Sequence, residues 1–144
     1  MTARTAPLVF IVDDDASVRK SLARLVRAAG FDAETFASAR DFLARPRYEG
    51  PSCLVLDVRM PGLTGLDLQE TLAAAGQRVS IVFITGFPDV RARGTAMEAG
   101  AIDFLSKPVN DRDLLGAIER AMTRSLGAQQ DQPESRRSRI GSSP

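Results

Sequence analysis

The sequence predicts one α/β domain built on a five-stranded parallel sheet with helices on both faces. Five short apolar segments alternate with five segments in which apolar residues recur at helical spacing. This alternation calls for parallel strands joined by right-handed helical crossovers. A chain of 144 residues has room for one such hydrophobic core.

The third apolar segment, Cys53–Asp57, indicates the centre of this sheet. It reads Cys-Leu-Val-Leu-Asp, and a Met-Pro-Gly turn at residues 60–62 follows closely. A strand buried on both faces carries a continuous apolar run, so this strand is predicted to be central. Asp57 then lies at a carboxyl end, where open α/β sheets bind ligands. Taken alone, Asp57 could equally be an ordinary turn residue.

The other elements follow in a regular order. The first predicted helix begins after the acidic run at residues 13–15, with Asp15 or Ser17 as its N-cap, and ends at Gly30. The predicted strands are Leu8–Val12, Phe31–Phe36, Cys53–Asp57, Ser80–Thr85 and Ile102–Leu105. The later predicted helices are Ser38–Leu43, a helix from Leu66 to Gly76, Val90–Ala99 and Val109–Arg124. The helix at residues 90–99 has few apolar residues and contains a glycine, so we expect mobility there.

Composition divides the chain into three parts. Residues 1–6 are a short tail, residues 7–124 form the domain, and residues 125–144 have a polar composition typical of disorder. No apolar run approaches the roughly 20 residues of a membrane span, and the amino terminus lacks the apolar core of a signal peptide. We therefore expect a cytoplasmic protein without a membrane partner. A net charge of +1 gives no reason to expect direct nucleic acid binding.

The lack of histidine in this sequence limits the chemistry. Ser-His-Asp or Cys-His catalysis, imidazole metal sites and a phosphohistidine are all excluded for these 144 residues. The single cysteine, Cys53, is expected to pack as a small apolar residue. Chemistry must therefore rest on carboxylates, hydroxyls, lysine and arginine, and a metal should be a hard cation with oxygen ligands.

Polar side chains follow four of the five predicted strands. Asp13 and Asp14 follow the first strand, and Asp57 ends the third. Thr85 ends the fourth strand and Lys107 follows the fifth. Each has an ordinary structural explanation alone, but the carboxyl ends of parallel strands share one edge, so these groups can converge. Lys107 and a magnesium ion would balance three converging carboxylates, and such a site is suited to accepting a phosphoryl group.

Four short motifs in this order resemble the signature of a known family. They are Ile11–Asp15, Leu56–Gly62, Ile84–Gly86 and Asp103–Pro108. Together they look like receiver domains of two-component response regulators and are similar to the FixJ-like subfamily, over about residues 7–124. The resemblance implies a doubly wound, flavodoxin-like (βα)5 fold with strand order 2-1-3-4-5.

The resemblance also implies roles for the acidic residues. Asp57 would be the phosphoacceptor. Asp14 and Asp57 would bind Mg²⁺ directly. Asp13 would help through a water molecule, and Arg59 would contribute its backbone carbonyl group.

Further roles follow from the same resemblance. Thr85 would hydrogen-bond a phosphoryl oxygen and Lys107 would pair with the phosphoryl group. Phe104 would be an aromatic switch that packs inward when Thr85 moves, and a plain core role is the alternative. The Lys107–Pro108 peptide bond is expected to be cis. Phe87 stands where relatives often carry smaller or polar residues, and we hypothesise that it shields the acyl phosphate from water.

The implied function is a single-domain phosphorylation switch. A histidine kinase or phosphotransfer protein would supply the phosphoryl group. The face of the fourth helix, fifth strand and fifth helix would then change its binding of an unknown downstream protein or a second copy of the chain. The chain would be a phosphoacceptor that dephosphorylates itself, not an enzyme. Three alternatives are a phosphorylation-independent adaptor, an aspartate-nucleophile phosphatase, and a nucleotide or flavin module, although no glycine-rich phosphate loop follows a strand.

Overall fold

Five parallel strands form one sheet in the computed structural model, which describes residues 6–87 and 89–142, with side chains through residue 127. The strands are β1 (Leu8–Val12), β2 (Asp32–Phe36), β3 (Ser52–Asp57), β4 (Ile81–Thr85) and β5 (Asp103–Ser106). Their order across the sheet is β2-β1-β3-β4-β5, and every pairing is parallel. The predicted fold class and strand order are therefore confirmed.

A helix follows each strand in the part of the chain that the structure describes. The helices are α1 (Ala16–Ala28), α2 (Ala39–Leu43), α3 (Gly65–Ala74), α4 (Val90–Glu98) and α5 (Asp111–Ser142). Asp15 is the N-cap of α1, because its carboxylate accepts hydrogen bonds from the backbone N–H groups of Ser17 and Val18. Gly30, with φ of 97°, adopts the left-handed conformation that ends this helical segment. Within the described ranges, no helix has the length and apolar character required to cross a membrane.

The hydrophobic core lies on both faces of the sheet. Helices α1 and α5 cover one face, and α2, α3 and α4 cover the other. All the apolar residues of β1, β3 and β4 are buried, as the continuous apolar runs predicted. Asp57 therefore ends the middle strand of a sheet that is covered on both sides.

The last helix is longer than the apolar pattern predicted. α5 continues past Arg124, where the sequence analysis placed the start of a disordered tail, and runs to Ser142. The described buried side chains of α5 all precede that point: Leu114, Ala117, Ile118, Ala121 and Met122. Backbone hydrogen bonds alone define a helix, so its extent beyond the apolar face cannot be read from periodicity. Disorder of residues 125–144 stays a prediction, and residues 143 and 144 lie outside the described residues.

Candidate functional site

Polar side chains meet at the edge of the sheet formed by the carboxyl ends of the strands. Asp57 is the last residue of β3 and Thr85 is the last residue of β4, whereas Asp13 and Lys107 come directly after β1 and β5. The parallel registers align these four strand ends with one another. The structure therefore brings together residues that are widely separated in sequence.

Three carboxylates form an acidic cluster at this edge. Asp13, Asp14 and Asp57 can each place one carboxylate oxygen within 4.8 Å of the others. Asp13 and Asp57 are buried, whereas Asp14 is exposed to solvent. The Asp13 Oδ1 atom accepts a hydrogen bond of 2.9 Å from the backbone N–H of Asp15, which orients this carboxylate. The cluster is open to solvent on the side of Asp14.

Lys107 places its ammonium group against the two buried carboxylates. Its Nζ atom lies 2.9 Å from Asp13 Oδ2 and 3.5 Å from Asp57 Oδ2. The backbone N–H of Lys107 also donates a hydrogen bond of 2.7 Å to the carbonyl oxygen of Thr85, which joins the ends of β4 and β5. The Lys107–Pro108 peptide bond is cis, so that prediction is confirmed.

Burial dominates the electrostatics of the central carboxylate. Loss of hydration raises the pKa of Asp57 to about 6, the nearby Asp13 carboxylate acts in the same direction, and Lys107 opposes both. Burial by itself would lower the pKa of Lys107, but its contacts with Asp13 and Asp57 outweigh burial, so this pKa is raised. At neutral pH one ammonium group therefore faces two buried carboxylates, and the site has an excess of negative charge.

The acidic cluster fits a magnesium ion. No donor among the described residues is aligned for a hydrogen bond to the buried Asp13 Oδ2 atom, although the Lys107 ammonium forms an ion pair with it. Mg²⁺ binds carboxylate oxygens and keeps several water ligands, which suits a cluster with one solvent-exposed side. The division into direct ligands, Asp14 and Asp57, and a water-mediated one, Asp13, stays a prediction. So does the carbonyl ligand from Arg59.

Thr85 has its hydroxyl group engaged with its own loop. Its Oγ1 atom accepts a hydrogen bond of 3.1 Å from the backbone N–H of Phe87 and donates one of 3.2 Å to the Phe87 carbonyl oxygen. Phe104 is buried, and its ring centroid lies 5.9 Å from that of Phe83. The contact of Thr85 with a phosphoryl group and the switching of Phe104 stay predictions.

Sequence reasoning missed a contact between the two loops beside the site. The Arg59 guanidinium lies over the Phe87 ring, 4.8 Å from its centroid, in a cation–π arrangement. The Phe87 side chain is otherwise 62% exposed. Arg59 and Phe87 each lie two residues beyond the last residue of adjacent strands β3 and β4, and this shared offset is the signal that could have paired them.

Sequence reasoning also missed a glycine that supports the site. Gly65, the first residue of α3, lies so close to the end of β3 that a Cβ atom there would clash with the Asp57 carbonyl oxygen. Its N–H donates a hydrogen bond of 3.0 Å to the carbonyl oxygen of Val58. Glycine is required where two backbones approach this closely, so residue 65 must be glycine for α3 to begin this near the end of β3.

Known proteins resemble this chain in sequence and in fold. The profile of the response regulator receiver domain matches residues 9–119. Nodulation protein W of Bradyrhizobium diazoefficiens is 48% identical over 122 residues, which cover 85% of this chain and 54% of that protein. The structure of the response regulator StyR matches with a TM-score of 0.87 and 46% identity, over 92% of this chain and 67% of that one. The crystal structure of FixJ-N matches with a TM-score of 0.74 and 39% identity, over 83% and 95% of the two chains.

The matched region contains every strand-end residue of the site. Asp13, Asp57, Thr85 and Lys107 all lie within residues 9–119. The chain spans 54% of nodulation protein W, so it corresponds to about half the length of that relative. The match to the family covers most of the chain. The observed strand order, β2-β1-β3-β4-β5, is the order expected for this family. The chain therefore belongs to the receiver domains of two-component response regulators.

Proposed function

We propose that Asp57 accepts a phosphoryl group and that the chain works as a phosphorylation switch. The observation that carries this proposal is the buried Asp57 carboxylate at the end of the central strand, with the Lys107 ammonium 3.5 Å away and two further carboxylates beside it. Response regulators interact with histidine kinases, so the donor is the phosphohistidine of a kinase or of a phosphotransfer protein.

In the transfer step, one oxygen of the Asp57 carboxylate attacks the phosphorus atom. The bond between phosphorus and the imidazole nitrogen of the donor breaks, and that nitrogen keeps the electron pair. Lys107, held by its ion pair with Asp13, stabilises the negative charge on the transferring oxygens. When bound at the acidic cluster, Mg²⁺ supplies further positive charge to the phosphoryl oxygens. Thr85 releases the backbone of Phe87 and donates its hydroxyl hydrogen to a phosphoryl oxygen.

The lifetime of the acyl phosphate depends on the contact between Arg59 and Phe87. Water must reach the phosphorus atom to hydrolyse the acyl phosphate, and the two loops flank the edge of the sheet where Asp57 ends β3. The side chains of Arg59 and Phe87 cover part of the path by which water reaches the phosphorus atom. The cation–π contact that holds the two side chains together supports this role. The chain thus dephosphorylates itself at a rate that the two loops limit. It is a phosphoacceptor and does not turn over a separate substrate as an enzyme does.

The signal leaves through the face of α4, β5 and α5. The movement of Thr85 makes room for the Phe104 side chain, which lies in the neighbouring strand β5. The Arg93 guanidinium of α4 donates a hydrogen bond of 3.2 Å to the Phe104 carbonyl oxygen, so a change at Phe104 reaches α4 directly. The partner is a downstream protein or a second phosphorylated copy of the chain.

Intact mass spectrometry with acetyl phosphate tests this function. We expect one added phosphoryl group on the wild-type chain, only when Mg²⁺ is present, and none on Asp57→Asn. Asp32→Asn, which changes an exposed carboxylate on β2, is the matched control and should be phosphorylated normally. A wild-type chain that gains no phosphoryl group would instead favour the phosphorylation-independent adaptor. Sustained turnover of a phosphate ester would favour the phosphatase.

A further inference from the structure

Helix α4 has few contacts with the rest of the domain. Ala96 is its one buried residue among the described side chains. Ala92 and Met97 are partly buried against the core. Two polar contacts add to these: the hydrogen bond from exposed Arg93 to β5, and a hydrogen bond of 3.1 Å from Gln69 Nε2 of α3 to the Ala96 carbonyl oxygen. The second of these is buried.

The hydrogen bond from Gln69 joins α3 and α4 beside a gap in the packing. A cleft of about 660 Å³ opens between the end of α3 and the end of α4, and Gln69 forms part of its lining. Only 7% of the Gln69 residue surface is exposed, so its amide would be costly to leave without a partner. The Ala96 carbonyl oxygen also accepts a hydrogen bond of 3.0 Å from the backbone N–H of Ala101. Ala96 therefore keeps one partner if the Gln69 amide is removed.

We propose that Gln69 is a positioning residue that holds α4 in its present place and thereby opposes the response of the β4–α4 loop to a phosphoryl group. While Gln69 holds α4 in this position, the Thr85 hydroxyl group is hydrogen-bonded to the backbone of Phe87. Asp89, the N-cap of α4, lies two residues beyond Phe87, so the loop cannot move far without the helix. The role in the response rests on the proposed phosphorylation of Asp57, whereas the restraint on α4 does not.

The size of the effect follows from linkage. A contact that is made in one of two states shifts the equilibrium toward that state by its own free energy. A buried hydrogen bond between neutral groups changes the equilibrium constant between two such states by about two- to tenfold. Removing the Gln69 amide should therefore loosen α4 and favour the phosphoryl-bound state by about the same factor.

Hydrogen exchange of the full chain without any phosphoryl analogue tests the restraint. In Gln69→Leu, which keeps an apolar side chain of similar size, we expect the amides of Val90–Ala101 to exchange about two- to tenfold faster. Gln77→Leu is the matched control, because Gln77 lines the same cleft and its side chain makes no hydrogen bond among the described residues. Unchanged exchange in α4 of Gln69→Leu would overturn the proposal. Gln69→Met replaces this variant if circular dichroism shows Gln69→Leu to be unfolded.

The affinity for beryllofluoride, a phosphoryl analogue, tests the effect on the response. With Mg²⁺ present, Gln69→Leu should bind it about two- to tenfold more tightly than wild type, and Gln77→Leu should bind it as wild type does. An unchanged or weaker affinity in Gln69→Leu would show that Gln69 does not oppose the response. If wild type and Gln69→Leu both fail to bind, the proposed function is wrong, and the exchange experiment still decides whether Gln69 restrains α4.

Discussion

Helices α4 and α5 are held to the domain in different ways. α5 buries Leu114, Ala117, Ile118, Ala121 and Met122 against the sheet. α4 buries Ala96 alone among its described side chains, with Ala92 and Met97 partly buried beside it, and it adds two polar contacts. α4 is also the helix that follows the loop carrying Thr85 and Phe87. Because α4 buries less apolar surface than α5, we expect a displacement of α4 to cost less free energy than a displacement of α5.

The largest expected effect contrasts a core residue of α5 with a surface residue of α4. Ile118→Ala should lower the free energy of unfolding by about 2–5 kcal/mol, because Ile118 is fully buried and its loss leaves a cavity. Val90→Ala should change it by less than about 0.5 kcal/mol, because Val90 is 89% exposed. Urea denaturation of both variants measures the difference. If both variants lose the same free energy of unfolding, α4 and α5 do not differ in how they are held to the domain.

The second prediction concerns pH, and it tests whether the end of β3 holds a buried carboxylate with a raised pKa. Burial raises the pKa of Asp57 to about 6, so protons compete with a cation for this carboxylate below that pH. The affinity for Mg²⁺ should be constant above about pH 7 and fall about tenfold for each pH unit below about pH 6. Calorimetric titration with Mg²⁺ from pH 5 to pH 8 measures it.

Asp57→Asn is the control for the pH experiment. This variant should bind Mg²⁺ weakly, and its affinity should lose the dependence on pH near 6, because the titrating carboxylate is gone. A wild-type affinity that stays constant down to pH 5 would contradict the raised pKa. A dependence that persists in Asp57→Asn would assign the titration to another group.

The smallest effect should come from the loops. Phe87→Ala removes the ring that Arg59 contacts, and an exposed cation–π contact is worth about 0.5–1 kcal/mol, so the acyl phosphate should decay about two- to fivefold faster. Phe87→Tyr keeps an aromatic face and should decay at the wild-type rate. Loss of phosphoryl mass with time measures the decay. If Phe87→Ala and wild type decay equally fast, the proposed shielding is wrong.

Much of the fold could be predicted because it depends on local patterns. Continuous apolar runs identified β1, β3 and β4, and the prediction for β1, Leu8–Val12, matches the observed bounds. The parallel arrangement then placed Asp57 and Lys107 on one edge without any knowledge of contacts. The prediction for β5 began one residue early, because Ile102 continues the apolar pattern although the strand begins at Asp103.

The remaining features depend on contacts that leave no period in the sequence. Gln69 interrupts the apolar face of α3 and reads as an ordinary polar residue, yet it is buried against Ala96. Arg59 and Phe87 meet only because their loops follow adjacent strands. Such pairs are set by the tertiary arrangement of the elements, so they become visible only after the sheet order is known.

The central claim is that α4 changes its structure or stability when Asp57 carries a phosphoryl group. Hydrogen exchange with and without beryllofluoride and Mg²⁺ tests this claim most directly. We predict altered exchange in Val90–Glu98 and unchanged exchange in the α5 segment at residues 114–122. Asp57→Asn should show unchanged exchange in both segments. Altered exchange in α5 with none in α4 would contradict the account.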